Sequence, residues 1–249
     1  MQPSLNPALF SGYPFYGQKP TLHFVGIGGS GMSSLAEVFL RLGFCVQGSD
    51  VQLSARTADL QAQGAHIQQG HHARNIEGAT AVVVSSAVPA DNPEVQAAMK
   101  NHLPVVPRGN MLAQLMRFQH GVAVAGTHGK STTTGLVGCV LQHTGLDPTV
   151  LVGGRVNHLG SHARVGKGTF LVAEADESDG SFLQLHPSIA VLTNIDREHL
   201  ERWQGDVGHL QDACVQFADA LPFYGTLVGC WDCPLVQGVL HRTKSRWLS

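Results

Sequence analysis

The sequence predicts an α/β protein with two domains, each built on a largely parallel β-sheet. Short apolar runs that end in glycine or in a polar cluster alternate with segments of helical periodicity, which is typical of strands joined by crossover helices. Two glycine-rich turns, GIGGSG at 26–31 and GTHGKS at 126–131, each follow such a run. Because 249 residues accommodate two ordinary domains, we expect one turn in each.

The first predicted domain spans residues 21–118 and has a Rossmann-like order of elements. Residues 1–20 carry proline, glycine and aromatics without a period, which predicts an irregular leader. After them, strand-like and helical segments alternate in this order: LHFVGIG, MSSLAEVFLRLG, FCVQGSD, TADLQAQG, AVVVSSAV, PEVQAAMKN, PVVPR and MLAQLMRF. Strands that alternate with helices predict a parallel sheet with right-handed crossovers.

The second predicted domain spans residues 119–249 and resembles a phosphate-loop α/β domain that is only partly present. The predicted order is a strand in HGVAVAG, a helix in STTTGLVGCVLQHTG, strands in TFLVAEADE and SIAVLTNI, a helix from about Asp206 to Ala220, and a strand in TLVGC. The tail PLVQGVLHRTKSRWLS has no convincing period. We therefore expect the second sheet to stop with about four strands.

The composition excludes several classes of function. Hydrophobic residues make up 43% and charged residues 14%, which predicts a folded globular chain. The net charge is -2 and no run of lysine or arginine occurs, so we expect no nucleic-acid partner and no anionic membrane surface. No apolar run approaches the ~20 residues of a membrane span, and the N-terminus lacks signal-peptide features, so a cytoplasmic location is expected. The oligomeric state is left open.

The five cysteines are scattered and odd in number, which favours reduced thiols. Only the segment CWDC at 230–233 has a recognisable spacing. It is either a redox pair or an inert strand end. The second alternative is favoured because no helix is predicted to begin at the first cysteine, and a reactive thiol needs a helix N-terminus or a cation.

The first glycine turn predicts a nucleotide site. Its G-x-G-x-x-G pattern lies between a strand and a helix, and Asp50 follows about 20 residues later at the end of the next strand. Glycines permit close backbone approach, the helix N-terminus attracts a pyrophosphate, and a carboxylate can accept from a ribose hydroxyl. On these grounds alone a nicotinamide dinucleotide is the first candidate ligand, and a merely tight turn is the alternative.

The second turn predicts a phosphate-binding loop of shortened spacing. Gly126 is three residues before Gly129 rather than five. Lys130 can nevertheless reach β and γ phosphates, and Ser131 can place a hydroxyl on Mg²⁺. The alternative is a chance G-K-S at a helix start, which the flanking apolar strand and the hydroxyl run STTT disfavour.

Two polar clusters at strand ends suit divalent metal ions. Glu174 opens EADESDGS, and His199 closes NIDREH. Oxygen ligands and a histidine near a triphosphate are typical of metal sites, while a solvated acidic loop and a surface histidine are the alternatives. The residues alone assign no role to His128 or to the pair His71 and His72.

These motifs together resemble the Mur ligases. The resemblance covers about residues 21 to 234 and rests on these segments, in order: GIGGSGM, SGSD, GHH, SSAV, VPR, AVAGTHGKSTTTG, DPTVLVGG, EADESDGSF, TNIDREH and LPFYG. It implies that the first turn binds the uridine diphosphate of the substrate and that the second binds ATP. Since Mur ligases continue with further sequence and a third domain, we expect a truncated or frame-shifted ligase that is inactive alone.

The resemblance also implies roles for individual residues. Lys130 would hold the β and γ phosphates, Ser131 and Glu174 would ligate Mg²⁺, and His199 would join Glu174 at a second metal site, so that Lys130, Glu174 and His199 form the catalytic group. The ATP-binding residues would be Gly126, Thr127, His128, Gly129, Lys130, Ser131 and Thr132. The UDP-substrate residues would be Gly28, Gly29, Ser30 and Gly31 at the diphosphate, with Ser49, Asp50, His71 and Ser86 near the uridine.

The implied reaction joins L-alanine to UDP-N-acetylmuramate. ATP would phosphorylate the lactyl carboxylate, and the amine of L-alanine would displace phosphate from the resulting acyl phosphate. Lysine and metal ions suit the charge that develops on phosphoryl oxygens. The alternatives are a non-catalytic UDP-sugar-binding remnant and an NAD-dependent oxidoreductase built on the first turn.

Overall fold

The computed structural model describes residues 20–117, 119–152, 163–178, 180–198 and 200–249. The chain divides into two compact units between Met111 and Leu112. The domain boundary predicted at residue 118 lies seven residues later and remains a prediction. The predicted leader falls, except for Pro20, outside the described residues.

The first unit contains a five-stranded parallel sheet. Its strands are β1 Thr21–Val25, β2 Cys45–Asp50, β3 His66–Gln69, β4 Ala81–Val84 and β5 Val105–Pro107. Its helices are α1 Ser30–Arg41, α2 Ala55–Ala62, α3 Pro93–Lys100 and α4 Arg108–Met116, the last of which runs across the division between the units. The strand order is β3-β2-β1-β4-β5, so the order reverses between β1 and β4. In doubly wound sheets the ligand crevice lies at the carboxyl ends of the strands at this reversal.

Local sequence explains why these elements form. The apolar side chains of β1 are buried, and α1 turns Met32, Leu35 and Phe39 inward at helical spacing. Gly43, with a φ of 80°, permits the left-handed turn that ends α1. Helix α3 begins with Pro93 in its first turn, and the Asn92 side chain caps the helix.

The second unit contains a seven-stranded sheet. Its strands are β6 His120–Ala125, β7 Thr149–Leu151, β8 Ala163–Arg164, β9 Phe170–Glu174, β10 Ile189–Leu192, β11 Thr226–Gly229 and β12 Trp247–Leu248. Its remaining helices are α5 Lys130–His143, α6 Val207–Asp219 and α7 Pro234–Arg242. The strand order is β12-β11-β10-β6-β9-β7-β8, parallel except for the pair β7 and β8. No helix in the described ranges is long and apolar enough to cross a membrane.

The prediction of a patternless tail is wrong. Pro234 opens α7, which buries Val236, Val239 and Leu240 at helical spacing. The tail then adds β12 beside β11, and β7 and β8 extend the other edge, so the sheet has seven strands rather than about four. The short strands β3, β7, β8 and β12, of two to four residues, were missed because so few residues show no period.

The five cysteines are all free thiols. A helix does begin next to the CWDC segment, but it follows the second cysteine, since Cys233 is the N-cap residue of α7. The Cys233 thiol lies 3.7 Å from the carbonyl oxygen of Ile195. Burial, with a smaller contribution from the charge of Glu177, raises the pKa of the Cys214 thiol to about 12, which makes this thiol unreactive.

Candidate functional site

The first glycine turn connects β1 to α1 and is held by the end of β2. The backbone N–H groups of Gly26 and Ile27 donate to the carbonyl oxygen of Ser49 at 2.8 and 3.0 Å. The N–H of Gly28 donates to Oδ2 of Asp50 at 2.8 Å. Asp50, expected to face a ribose, therefore uses one carboxylate oxygen to brace the turn itself.

Space and charge around this turn suit an anion. A Cβ on Gly28 would lie 2.9 Å from Asp50 Oδ2, and a Cβ on Gly31 would lie 2.9 Å from Nη1 of Arg108, so the two glycines let these side chains approach the backbone of the turn closely. Arg56 reaches the carbonyl oxygen of Gly28 at 3.4 Å. Two guanidinium groups and the N-terminus of α1 thus gather at one turn, which favours a phosphate. The residue-by-residue prediction did not include Arg56 or Arg108.

The other predicted UDP-substrate residues lie in the same unit. Gly29 is the N-cap of α1, and Ser30 opens the helix. Ser86 is exposed in the loop that follows β4. Val88 of that loop comes within 4.0 Å of the Cβ position of Gly26. The loop after β4 therefore reaches the turn after β1, as expected at the reversal of strand order.

A buried polar network lies directly behind this turn. Its centre is Glu94, which is fully buried at the start of α3. Ser49 and His71, both predicted near the uridine, belong to this network, since Ser49 Oγ is 2.9 Å from His71 Nδ1. Glu94 and its buried partner His23, 3.3 Å away, were missed by the sequence analysis. A histidine within the otherwise apolar run LHFV was the available signal for His23.

The carboxyl of Glu94 is ionised throughout the physiological range. Burial alone would raise its pKa, but hydrogen bonds from His23, Ser49 and Asn75 outweigh burial and lower the pKa from 4.5 to about 2. The fold therefore maintains a buried negative charge below the predicted diphosphate turn.

This lowered pKa predicts a loss of stability in acid. The ionised Glu94 contributes stability that is fully present above pH ~4.5, the unfolded pKa, and is lost as the pH falls towards about 2. We expect the difference in the free energy of unfolding between the wild type and Glu94→Gln to fall by at most roughly 3 kcal/mol across this window. Hydrogen exchange of peptides from β1 and β2, compared between the two proteins at each pH, measures it. A difference that stays constant down to pH 2 would contradict the prediction.

The second glycine turn connects β6 to α5 in the second unit. Gly126 has a φ of 129°, and Gly129, the N-cap of α5, has a φ of 80°. A Cβ on Gly126 would lie 2.2 Å from Oγ1 of Thr193 and 2.8 Å from the carbonyl oxygen of Asn194. Gly126 is therefore required both by backbone conformation and by space. The shortened spacing folds as a tight turn at the end of a buried strand.

The end of β10 holds this loop in shape. The side chain of Asn194 accepts from His128 N–H at 2.8 Å and donates to the carbonyl oxygen of His128 at 2.9 Å. The Thr193 hydroxyl donates to the same oxygen at 2.7 Å. Thr127 N–H donates to the backbone oxygen of Asn194, and the Thr127 hydroxyl accepts from the N–H of Asp196 at 2.9 Å. These bonds preorganise the loop.

Lys130 folds back over this loop. Its Nζ donates to the carbonyl oxygens of Gly126 and Thr127 at 2.7 and 3.2 Å and lies 2.9 Å from Oε2 of Glu177. Glu177 is 3% exposed, so the ion pair neutralises a buried carboxylate. Glu177 lies in the acidic segment EADESDGS, but no signal in the sequence identifies it as the partner of Lys130.

The predicted metal ligands fit a divalent cation in part. Glu174 ends β9, beside Val124 of β6, and its buried Oε1 has no hydrogen-bond partner among the described residues. Ser131 lies in the first turn of α5, with Thr132 following it. An unpaired carboxylate oxygen and a hydroxyl near the phosphate loop suit Mg²⁺. His199 lies outside the described residues, so its predicted role stays a prediction.

A second group with metal-ligand chemistry lies on the exposed side of the loop. His128, Asp196 and Glu198 place one ligand atom each within 4.8 Å of one another. His128 Nε2 is 3.4 Å from Asp196 Oδ2 and 3.8 Å from Glu198 Oε2. Asp196 and Glu198 were not among the predicted ligands, although both lie in the motif that suggested a metal site.

The fold and the two turns define an α/β protein of the nucleotide-binding class, with a phosphate-type turn at the carboxyl end of the first strand of each unit. The chain belongs to the Mur ligase family. The model of the Mur ligase family catalytic domain matches residues 21–120, and that of the Mur ligase middle domain matches residues 124–249. The similarity therefore continues beyond residue 234, where the sequence analysis ended it.

Curated relatives of the chain are named UDP-N-acetylmuramate–L-alanine ligase. The chain is 51% identical over 234 residues to the UDP-N-acetylmuramate–L-alanine ligase of Pelobacter propionicus, covering 94% of this chain and 51% of that protein. It is 55% identical to the ligase of the same name from Aromatoleum aromaticum, covering 88% of this chain and 46% of that protein. The chain thus spans about half the length of the curated relatives it matches.

Solved structures of two ligases have folds similar to that of this chain. The UDP-N-acetylmuramate-alanine ligase of Thermotoga maritima superposes with a TM-score of 0.80 at 32% identity, covering 88% of this chain and 51% of that one. The UDP-N-acetylmuramate:L-alanyl-gamma-D-glutamyl-meso-diaminopimelate ligase of Neisseria meningitides superposes with a TM-score of 0.85 at 27% identity, covering 92% of this chain and 77% of that one.

Proposed function

We propose that this chain carries the UDP-substrate and ATP-binding parts of a ligase that joins L-alanine to the carboxylate of UDP-N-acetylmuramate in peptidoglycan precursor synthesis. The observation that carries the proposal is the occurrence, in one Mur ligase chain, of a diphosphate turn at 26–31 and a phosphate loop at 126–131, one in each unit. The names of relatives at 51 to 57% identity support the choice of substrates.

In the first unit, the residues of the turn would bind the substrate diphosphate. Gly28, Gly29 and Gly31 leave backbone space, the N-terminus of α1 offers N–H groups, and Arg56 and Arg108 supply positive charge. Ser49, His71 and Ser86 would lie near the uridine, because they lie at or just after the carboxyl ends of β2, β3 and β4.

In the second unit, the loop would bind ATP. Lys130 would exchange its contacts with the loop carbonyls and Glu177 for β and γ phosphate oxygens, where its charge stabilises phosphoryl transfer to the substrate carboxylate. Ser131 and Glu174 would hold Mg²⁺, which when bound neutralises phosphate charge. The hydrogen bonds of the loop to Thr193 and Asn194 hold the loop backbone in shape before ATP arrives.

The chemistry requires no protein nucleophile. Phosphorylation turns the carboxylate into an acyl phosphate, and the amine of L-alanine then attacks the carbonyl carbon and displaces inorganic phosphate. The protein must position the reactants and stabilise charge on oxygen. The free thiols are not needed for either step.

A calorimetric titration tests this proposal. We expect the purified chain to bind UDP-N-acetylmuramate and not NADH, because the chain belongs to the Mur ligase family over both units. Binding of NADH alone would instead favour the oxidoreductase that the G-x-G-x-x-G pattern first suggested. Binding of neither ligand would contradict the assignment of the first unit.

A non-catalytic UDP-sugar-binding remnant is the second candidate, because the glycine turn and the two guanidinium groups beside it all lie in the first unit. ATP binding separates the candidates, because only the ligase needs the second nucleotide. Binding of both UDP-N-acetylmuramate and ATP would support the ligase, and binding of UDP-N-acetylmuramate alone would favour the remnant. Release of phosphate in the presence of ATP, Mg²⁺, UDP-N-acetylmuramate and L-alanine would exclude the remnant outright.

A further inference from the structure

The buried carboxylate of Glu94 has no role in the function proposed above, yet it organises the polar groups behind the first glycine turn. It is fully buried at the start of α3. Its two oxygens lie within 3.4 Å of five polar groups, namely Ser49 Oγ, His23 Nε2, His71 Nδ1, the backbone N of His72 and Asn75 Nδ2.

The two oxygens of Glu94 have different partners. Oε1 accepts from Asn75 Nδ2 at 2.6 Å and from the backbone N–H of His72 at 3.3 Å. Asn75 Nδ2 also donates to the carbonyl oxygen of Gly70 at 3.0 Å, so the amide orientation is settled by two acceptors. Oε2 faces His23 and the hydroxyl of Ser49, which donates to it at 2.5 Å.

The single hydrogen of the Ser49 hydroxyl determines what His71 can do. Because that hydrogen is donated to Glu94, Ser49 Oγ can only accept from His71 Nδ1, 2.9 Å away. His71 must therefore carry a hydrogen on Nδ1. In the neutral ring, Nε2 then carries the lone pair that can accept a hydrogen bond. The His71 side chain is 20% exposed, whereas that of Glu94 is fully buried, so His71 is the member of this pair that solvent or a ligand can reach.

Ser49 also connects this chain of hydrogen bonds to the turn. Its backbone oxygen accepts from the N–H groups of Gly26 and Ile27, and the next residue, Asp50, holds Gly28. The residue that orients His71 is thus the residue on which the predicted diphosphate turn is built.

We propose that Glu94 is a positioning residue of the UDP-substrate site: it orients the Ser49 hydroxyl and thereby fixes His71 with its hydrogen on Nδ1, so that Nε2 accepts a hydrogen bond from a hydroxyl or imide N–H of the uridine moiety. This inference rests on the proposed function for the identity of the ligand. The orientation of His71 follows from the network alone.

The substitution Glu94→Gln reverses the donor and acceptor roles along the hydrogen bonds that join Glu94, Ser49 and His71, and it changes the shape of the side chain little. The glutamine oxygen must take the Oε1 position, since Asn75 Nδ2 and the His72 N–H both donate there. Its NH₂ group then faces Ser49 and donates to the hydroxyl oxygen. Ser49 must donate to His71 Nδ1 instead, and the hydrogen of the neutral imidazole moves to Nε2.

Long-range ¹H–¹⁵N spectra of the histidine side chains at pH 8 distinguish the two forms, with His71 assigned by the loss of its signals in His71→Asn. We expect hydrogen on Nδ1 in the wild type and on Nε2 in Glu94→Gln. Calorimetry should show a roughly tenfold weaker affinity for UDP-N-acetylmuramate in Glu94→Gln, the effect of one lost hydrogen bond. Glu77→Gln is the matched control on an exposed residue and should change neither result.

Several outcomes overturn the proposal. Hydrogen on Nε2 of His71, or on both of its ring nitrogens, in the wild type would overturn it. This result needs only the native protein, so it holds even if Glu94→Gln fails to fold. A folded Glu94→Gln with unchanged His71 or unchanged affinity would do so as well. If the wild type binds no UDP-N-acetylmuramate, the proposed function and the ligand assigned to His71 both fail, whereas the spectra still decide whether Glu94 sets the form of His71.

Discussion

Replacing Lys130 by alanine is expected to weaken ATP binding roughly 10- to 100-fold while leaving the affinity for UDP-N-acetylmuramate unchanged. A charge-assisted hydrogen bond to phosphate contributes about 1.5–3 kcal/mol, which corresponds to this range. The two ligands are assigned to separate units, so the loss should be confined to one of them. Calorimetry with each nucleotide in turn measures both affinities.

Because Lys130 pairs with Glu177, Lys130→Ala removes more than a phosphate contact. Removing Lys130 leaves a carboxylate that is 3% exposed without its cation, and an unpaired buried charge destabilises the surrounding structure. The double variant Lys130→Met with Glu177→Gln removes both charges and keeps the volume. If the lysine itself binds phosphate, the double variant should bind ATP as weakly as Lys130→Ala.

The exposed Lys244 of the same unit supplies the matched control, since Lys244→Ala removes one positive charge far along the chain from the loop. We expect wild-type ATP affinity for this variant. Recovery of ATP binding in the double variant would show that the unpaired Glu177, rather than loss of a phosphate contact, causes the defect. Equal loss of ATP and UDP-sugar binding in Lys130→Ala would contradict the assignment of one nucleotide to each unit.

The positions of the two turns could be predicted from sequence because their signals are local. An apolar strand, a glycine turn and a helix start lie within about fifteen residues, and the positive φ values at Gly26, Gly126 and Gly129 are what the glycines predict. Helix α7 was missed although Pro234 is a common first helical residue, because Gly238 interrupts a short apolar pattern.

The partners of the predicted site residues could not be predicted in the same way. In the sequence, Glu94 follows Asn-Pro at a helix start, where an acidic residue is usually a solvated first-turn charge. Its burial depends on Ser49 and Asn75, which lie 45 and 19 residues away in the chain. Glu177 likewise meets Lys130 across 47 residues. Such contacts arise from the packing of the sheets, which no local pattern encodes.

The second large prediction concerns Gly48. Because this residue has no side chain, Ile27 of the first turn can pack against β2 at this position. It lies on β2 opposite Phe24 of β1. A Cβ at this position would lie 2.6 Å from the carbonyl oxygen of Phe24 and 2.8 Å from Cδ1 of Ile27. Ile27 belongs to the turn and is fully buried, so a shift of its side chain disturbs the core around it.

Gly48→Ala is therefore expected to destabilise the first unit by about 1–3 kcal/mol, the usual cost of forcing an extra carbon into a packed core. Because Ile27 must shift, the turn at 26–31 shifts with it, and binding of UDP-N-acetylmuramate should fall by more than tenfold while ATP binding is kept. Hydrogen exchange of peptides from β1 and β2 measures the stability, and calorimetry measures the two affinities.

Gly238→Ala makes the same chemical change in the second unit, where the added carbon would meet only the terminal amide of Gln211 at 2.9 Å. A flexible side-chain end can move aside, and alanine favours a helix over glycine by roughly 0.5–1 kcal/mol, so this variant should fold and bind both nucleotides normally. If Gly48→Ala kept wild-type protection and UDP-sugar affinity, the contact between Ile27 and β2 would not position the turn. If it instead lost ATP binding to the same extent, its effect would not be confined to the unit in which Gly48 lies.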